Sequence, residues 1–161
     1  MKRVAFVALA LSCGAGGGRG AAGGGDYQVG TLFLHVASGA AVNSSGLNLY
    51  LSDQPDTCQS LSFVPVQRAT RLALRVAPAA DGTTRATVVT KPTPGPGEAK
   101  GSLSQSTGGV AGDHYDASDG AVAWTVNPGG SVTITILDIG FSGTPDRILT
   151  TSALTVPPCS P

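Results

Sequence analysis

The sequence predicts an all-β protein whose folded part is an antiparallel β-sandwich of about eight short strands, with a small β-barrel as the alternative. Apolar and polar residues alternate with a period of two along most of the chain after residue 25. Clusters of Gly, Pro, Asn or Asp separate these runs at spacings of about ten residues, and no segment shows the apolar period of a helix. The range 26–161 holds 136 residues, which suits a single domain.

The first strands are expected to differ in their burial. Residues 29–36 are apolar on both alternating sets, which indicates a strand buried on both faces over part of its length. In 47–52, leucines at every second position point to one face, as in a half-buried strand. Pro65 interrupts 60–67 and indicates a short or kinked edge strand, because proline donates no ladder hydrogen bond.

The next two strands predict a hairpin. Apolar residues in 71–76 alternate with Arg71 and Arg75, which places both arginines on the solvent face. The Asp-Gly dipeptide at 81–82 is typical of a hairpin turn, and 84–90 is the expected returning strand. A stripe of two arginines is ordinarily a solvated face that discourages edge aggregation, and the alternative is a site for an anionic ligand or a lipid headgroup.

The second half of the domain is expected to end in a strongly patterned hairpin. The pattern predicts an exposed proline-rich loop at 92–97, a weak strand at 99–105 and a long polar loop at 108–120. It then predicts a hairpin with arms at 121–126 and 131–139, and a last strand at 147–156. Asn-Pro-Gly-Gly at 127–130 reverses the chain between the two hairpin arms. Trp124 lies in phase with Val122 and Val126 and is therefore expected in the core.

The N-terminus carries the pattern of a secretory signal. Two basic residues at 2–3 precede an apolar run at 4–11, and small residues close it at 12–14. The run falls far short of the roughly twenty residues of a membrane-spanning helix. The chain is therefore expected to leave the cytoplasm. Residues 8–10 read Ala-Leu-Ala, an A-x-A site at which an ordinary signal peptidase would release a secreted or periplasmic protein.

A second cleavage site follows directly. The run 9–13, Leu-Ala-Leu-Ser-Cys, resembles the lipobox of bacterial lipoproteins, whose cysteine is lipidated and becomes the mature N-terminus. The resemblance implies a diacylglycerol on the sulfur of Cys13 and a further acyl chain, such as palmitate, on its amine. Several chains form an anchor that hardly dissociates, so the implied partner is a membrane. Gly14 stands where lipoproteins of the inner membrane often carry Asp, which implies the outer membrane.

This reading divides the chain into three parts. They are a signal peptide at 1–12, a lipidated cysteine with a flexible tether at 13–25, and the single β-sandwich domain at 26–161. The tether is rich in glycine and has no side chain large enough to bury. Its root-mean-square span is roughly 19 Å, so the domain is expected to stay close to the bilayer.

The cysteine count supports lipidation. The chain has three cysteines, so an ordinary cut after Ala10 leaves one odd thiol in an exported protein. If Cys13 carries lipid, Cys58 and Cys159 are the possible pair and should form a disulfide in an oxidising compartment. That bond is expected to pin the C-terminal tail.

An acidic segment at 113–119 is the one group of polar residues that suggests a site. Asp113, Asp116 and Asp119 are spaced three apart around His114, and their oxygens are ligands that calcium prefers. The spacing differs from an EF-hand loop, and aspartates also favour loops because they bond their own backbone. The sequence therefore predicts no metal site. The alternative is a calcium site, for which Asp113, Asp116 and Asp119 are the candidate ligands.

Other chemistry is not indicated. The sequence has no G-x-S-x-G elbow and no metal-ligand spacing of cysteines or histidines, and His35 lies far from His114 in the chain. No catalytic residue and no cofactor are therefore expected. After removal of the signal, eight basic residues face ten acidic ones, which argues against nucleic acid as a partner.

The last third of the domain carries a second resemblance. AVAWTVNPGGSVTITILDI followed by DRILTTSALTVPPC is similar to the end of uncharacterised small β-rich lipoproteins of Gram-negative bacteria. The resemblance implies no activity. We expect a non-catalytic binding or structural module of the cell envelope with an unidentified protein or glycan partner. The alternatives are a hydrolase-like enzyme, which a pocket around His114 would favour, and a calcium-dependent module that uses 113–119.

Overall fold

A computed structural model describes residues 25–43, 46–62, 68–149 and 151–159. The elements, in chain order, are β1 (Asp26–Val29), β2 (Leu32–His35), β3 (Ser38–Asn43), β4 (Leu47–Ser52), α1 (Thr57–Ser62), β5 (Ala69–Ala77), β6 (Arg85–Val88), β7 (Glu98–Thr107), β8 (Val110–Val126), β9 (Val132–Phe141), β10 (Arg147–Ile148) and β11 (Leu154–Val156). The predicted signal peptide, Cys13 and the predicted tether up to residue 24 lie outside the described residues, as does the 63–67 part of the predicted strand 60–67.

Nine strands form one mixed sheet, which confirms the all-β prediction. The strand order is β10-β9-β8-β6-β7-β5-β4-β3, with β11 also paired to β9, and the sheet is not closed into a barrel. The β6–β7 pair is parallel and the other pairs are antiparallel. The structure therefore differs from the predicted antiparallel sandwich. The reason is β8, whose 17 residues pair with β7 at one end and with β6 and β9 at the other, so hydrogen bonds run continuously through the sheet.

The first predicted strand, 29–36, is instead a hairpin. Val29 pairs with Leu32 across a two-residue turn, and Gly30 takes a left-handed φ of 56° there. The two strands form a separate ribbon that lies against β5, β7 and β10. The ribbon buries three of its own apolar side chains, those of Val29, Leu32 and Leu34. The apolar residues of this ribbon thus cover the sheet, which explains why both alternating sets looked buried.

The predicted hairpin of strands 71–76 and 84–90 is not formed. β5 and β6 exist close to the predicted positions, but the partners of β5 are β4 and β7. Nine residue pairs join β5 to β7, from Ala69–Ser106 to Ala77–Glu98. β7 therefore takes the edge that the turn at 81–82 would have offered to β6.

A short helix replaces the start of the predicted strand 60–67. Helix α1 begins at Thr57, whose backbone N–H donates to Ser38 Oγ at 2.9 Å. The Ser38 hydroxyl also donates to the carbonyl of Gln54 at 2.6 Å. These hydrogen bonds tie the start of the segment to β3 and favour a helical turn at 57–62 over the weak local alternation.

The core lies on one face of the sheet, as the leucine and isoleucine alternation predicts. The twelve largest fully buried side chains are Leu32, Leu34, Leu49, Leu51, Leu72, Leu74, Leu103, Ile134, Ile136, Ile139, Ile148 and Leu154. Leu49 is paired with Leu74, and Leu51 is paired with Leu72, so the layers are in register. Trp124 is 6% exposed, which confirms its predicted place in the core.

The predicted last strand, 147–156, is two short strands. β10 pairs with Ile139 and Gly140 of β9, while β11 pairs with residues 132–134 of the same strand. The two arms of the hairpin predicted at 121–126 and 131–139 pair as expected, as parts of β8 and β9. Among the described residues, no helix is long and apolar enough to cross a membrane.

Candidate functional site

The acidic segment is part of strand β8, and the prediction of a loop at 108–120 is wrong. Leu103 of β7 pairs with Tyr115, and Ser104 pairs with His114. Nonlocal hydrogen bonds to β7 therefore overcome the turn tendency of the Gly and Asp residues. Successive side chains of a strand point to opposite faces, so His114 and Asp116 share the outer face while Asp113 and Tyr115 point the other way.

Asp113 and Tyr115 hold the turn of the N-terminal hairpin. The Thr31 hydroxyl donates to the Asp113 carboxylate, and the Thr31 N–H donates to the Tyr115 hydroxyl at 3.3 Å. The Gly30 N–H donates to Asp146 Oδ2 at 2.7 Å. A side chain at position 30 would collide with the Tyr115 ring. These contacts hold the hairpin on the sheet, and they give Asp113 a structural role.

His114 and Asp116 form an exposed pair on the outer face. Their Nε2 and Oδ1 atoms are 3.1 Å apart, and both side chains are about half exposed, at 51% and 54%. Ser104 lies directly opposite His114 on β7. Within the described ranges no hydrogen bond joins Ser104 to His114. The three residues lie on an open strand face, so the arrangement lacks the nucleophile–base contact that acyl transfer needs.

Asp119 belongs to an ion-pair cluster that sequence analysis missed. Arg147 donates from Nη2 to the Asp119 carboxylate and from Nε to Asp138 Oδ1 at 2.7 Å. It also donates to the Asp138 carbonyl at 2.7 Å. The Arg147 hydrogen bond, together with one from Ser118, holds the pKa of Asp119 below its usual value, and Asp119 in turn raises the pKa of Arg147.

The three calcium candidates are therefore held apart by different partners. Asp113 is bonded to Thr31, Asp116 to His114 and Asp119 to Arg147. In the part of the chain that the structure covers, no group of three His, Cys, Asp or Glu side chains is placed to hold a metal ion.

The predicted disulfide between Cys58 and Cys159 is confirmed. It joins α1 to the C-terminal tail across a sequence separation of 101 residues. The tail lies along the edge of β3, where the Ala41 N–H donates to Pro157 and the Cys159 N–H donates to Ala41, both at 2.9 Å. The bond therefore staples the tail over an otherwise open strand edge.

An apolar cleft lies beside this staple. It has a volume of about 290 Å³, and its lining includes Ala41, Leu47, Val132, Pro158 and Cys159. Val126 stands at the cleft with 61% of its surface exposed. Asn43 adds one polar side chain to a lining that is otherwise mainly apolar.

The outer face of β4, β5 and β7 carries polar side chains in register across the three strands. Three rows run across the strands, and they are Asn48–Arg75–Lys100, Tyr50–Ala73–Ser102 and Ser52–Arg71–Ser104. Burial lowers the pKa of Arg71, while electrostatic interactions with Tyr50 and Asp53 act in the opposite direction. Both predicted arginines thus lie on one face, and the register adds Lys100, which lies 25 residues from Arg75 in the sequence.

No protein-family model, curated protein or solved structure matches this chain.

Proposed function

We propose that the protein is a lipid-anchored module of the cell envelope that binds a ligand or partner without catalysing a reaction. The lipobox resemblance of residues 9–13 carries this proposal, because it supplies both an export signal and a membrane anchor at Cys13. The disulfide between Cys58 and Cys159 supports export, since such bonds persist in oxidising compartments. The glycine-rich tether supports a domain held near, and outside, the bilayer.

The geometry of β8 supports a binding module over the hydrolase-like alternative. A catalytic His needs both a bonded nucleophile and an orienting acid inside a shielded site. His114 has the acid, Asp116, but it is half exposed on an open strand. A binding module whose sheet is crosslinked to its tail by the disulfide is therefore the function that we propose.

Replacement of the anchor cysteine tests the proposal. We expect wild-type protein to co-sediment with membranes, at the density of the outer membrane, and Cys13→Ser to appear in the soluble fraction because it has no sulfur to acylate. Ser12→Ala keeps a small residue before the cysteine and is the matched control, which should fractionate like wild type. Mass spectrometry of the mature chain should find an acylated Cys13 at the N-terminus. Equal fractionation of wild type and Cys13→Ser, or an unmodified N-terminus after Ala10, would contradict the anchor.

Calcium removal tests the alternative that uses Asp113, Asp116 and Asp119. We expect the midpoint of thermal unfolding to be the same in excess EDTA and in millimolar calcium, because the three carboxylates have separate protein partners. A ligand at 100 times its dissociation constant stabilises the native state by about 2.7 kcal/mol, which such a scan detects easily. A calcium-dependent rise in the midpoint that is lost in Asp116→Asn would establish the calcium module instead.

A further inference from the structure

We propose that the N-terminal ribbon of β1 and β2 lies against the lipid bilayer and inserts the ring of Phe33 into its surface. The inference rests on the proposed function, because it takes an acylated Cys13 as the attachment to that bilayer. It goes further in assigning the face of the folded domain that contacts lipid and the side chain that makes the contact.

The predicted tether joins the folded domain at this ribbon. Gly25, the residue before β1, is held there because its carbonyl oxygen accepts the Val36 N–H at 2.9 Å. Gly25 follows Cys13 by only 12 residues, and a glycine-rich chain of that length has a root-mean-square span of roughly 19 Å. A domain of 136 residues has a radius of gyration of about 14 Å and is therefore wider than this span. The anchor thus holds the ribbon near the membrane surface.

The outer face of the ribbon carries an exposed aromatic ring. Val29, Leu32 and Leu34 are buried against the sheet, so the alternate residues of both strands point away from it. Phe33 belongs to this outward set, is 52% exposed, and has Gln28 as its cross-strand neighbour. Its ring therefore adds apolar surface to the outside of a ribbon whose inner face already packs on the core.

A second exposed apolar side chain lies beside the ribbon. Leu149 directly follows β10, which packs against β1, and 67% of its surface is exposed. In the described ranges the exposed large apolar residues are Phe33, Val110, Val126 and Leu149. The two largest of these side chains, the phenylalanine and the leucine, therefore belong to the ribbon and to the segment next to it.

The charges around Phe33 favour an apolar contact with neutral lipid. Asp26 and His35, the other outward cross-strand pair of the ribbon, bond each other with Oδ1 and Nδ1 2.5 Å apart. At the turn, Asp146 is engaged by the Gly30 N–H. Residues 26–35 include no Lys or Arg that could attract an anionic headgroup. The contact therefore depends on buried apolar area, and we expect it to be insensitive to salt.

A small apolar contact is enough to orient a domain that is already anchored. Docking is then an intramolecular step, for which a short flexible linker gives an effective concentration in the millimolar range. A tenfold preference for the docked orientation corresponds to about 1.4 kcal/mol. Burial of the exposed half of Phe33 and the exposed two thirds of Leu149 supplies at least this much. We therefore expect most anchored molecules to be docked.

Fluorescence quenching in liposomes tests the inference. The full-length, lipidated chain with Phe33→Trp is purified from membranes and reconstituted into phosphatidylcholine liposomes with brominated acyl chains, because bromine quenches tryptophan on contact. We expect this variant to lose most of its added emission relative to unbrominated liposomes, at both low and high ionic strength. Wild type should show little quenching, since its Trp124 is only 6% exposed. Phe33→Trp replaces one exposed aromatic ring with another, so it should keep the wild-type unfolding midpoint.

Val126→Trp is the matched control. Val126 is also exposed, at 61%, but it pairs with Val132 of β9, whereas β10 beside the ribbon pairs with Ile139. Seven residues of strand separate these two positions, which is about 24 Å. We expect no quenching in Val126→Trp. Equal quenching in the two variants would overturn the inference, because an added tryptophan would then draw any face of the domain to the lipid.

Hydroxyl-radical footprinting tests the same contact without a substitution in the ribbon. Lipidated wild type in liposomes is compared with soluble Cys13→Ser, and we expect Phe33 and Leu149 to be oxidised several-fold less in the liposomes. Tyr50 should react equally in both samples, because it lies with Arg75 on the outer face of the main sheet. Protection of Tyr50 without protection of Phe33 would overturn the inference, since it would show that the basic face docks instead.

These measurements separate the docking from the anchor. Wild-type protein that does not co-sediment with the liposomes would overturn both proposals. Co-sedimentation together with an unquenched Phe33→Trp and equal oxidation of Phe33 in both samples would overturn the docking alone, and it would leave the lipid anchor at Cys13 in place.

Discussion

Removal of the disulfide with Cys58→Ala and Cys159→Ala together should lower the free energy of unfolding by about 3–4 kcal/mol. The bond closes a loop with a sequence separation of 101 residues. In the chain-entropy model a loop of this size is worth at most about 4.7 kcal/mol, because the crosslink restricts the unfolded chain. Chemical denaturation measures the loss, and the thermal midpoint should fall by roughly 10 °C.

The structure also predicts which segment is destabilised when the disulfide is removed. Without the bond, the tail is held on β3 chiefly by the hydrogen bonds of Ala41 with Pro157 and Cys159, so amide exchange at Ala41 should accelerate. Wild type under reducing conditions should behave like the double variant. Ser152→Ala, an exposed change in the same C-terminal segment, should be neutral. An unchanged denaturation midpoint in the double variant would show that the staple contributes nothing to stability.

Gly120→Ala should destabilise the protein by more than about 3 kcal/mol. Gly120 has φ 105°, a conformation that strains any L side chain by roughly 1–3 kcal/mol. An added methyl group would also overlap the carbonyl oxygen of Asp138 and approach the Cα of Ile139 to 2.8 Å. Both are backbone atoms of β9, so the overlap is relieved only by moving the strand. Urea denaturation gives the change directly.

Gly82→Ala separates the two contributions. Gly82 also has a positive φ, 78°, but its Cβ would meet nothing within 4 Å. We expect this variant to lose only about 1–2 kcal/mol, the ordinary penalty of a left-handed residue. If the two variants were equally stable, backbone conformation alone would account for both, and the tight contact of β8 with β9 at this bulge would carry no weight. The same bulge positions Asp119 and Asp138 around Arg147, so its loss should also disrupt that cluster.

Properties that depend on a residue and its near neighbours could be predicted from the sequence. The alternation of leucines at 47–52 and 71–76, and of valine and isoleucine at 131–139, correctly identified strands and their buried faces. The burial of Trp124 followed from its alternation in phase with Val122 and Val126. These inferences hold because the period of a strand is a property of its own backbone. The pairing of Cys58 with Cys159 is not local, and it followed instead from the cysteine count on the expectation that Cys13 is lipidated.

The partners of each strand depended on contacts far apart in the chain. The pairing of β7 with β8 converts the acidic segment from an expected loop into a strand, and the pairing of β5 with β7 replaces the expected hairpin with β6. At 29–36, one glycine turns a single strand into a hairpin without breaking the apolar pattern.

The sequence by itself determined an all-β domain, its buried faces and its disulfide, and it predicts the export signal and lipid anchor that we propose. Only the tertiary structure decided that the strands join in one mixed sheet, that the three candidate aspartates have separate partners, and that Lys100 lies opposite Arg75. The physical reason is that alternation specifies which face of a strand is buried. The identity and register of its neighbours are set by hydrogen bonds and burial summed over the whole sheet.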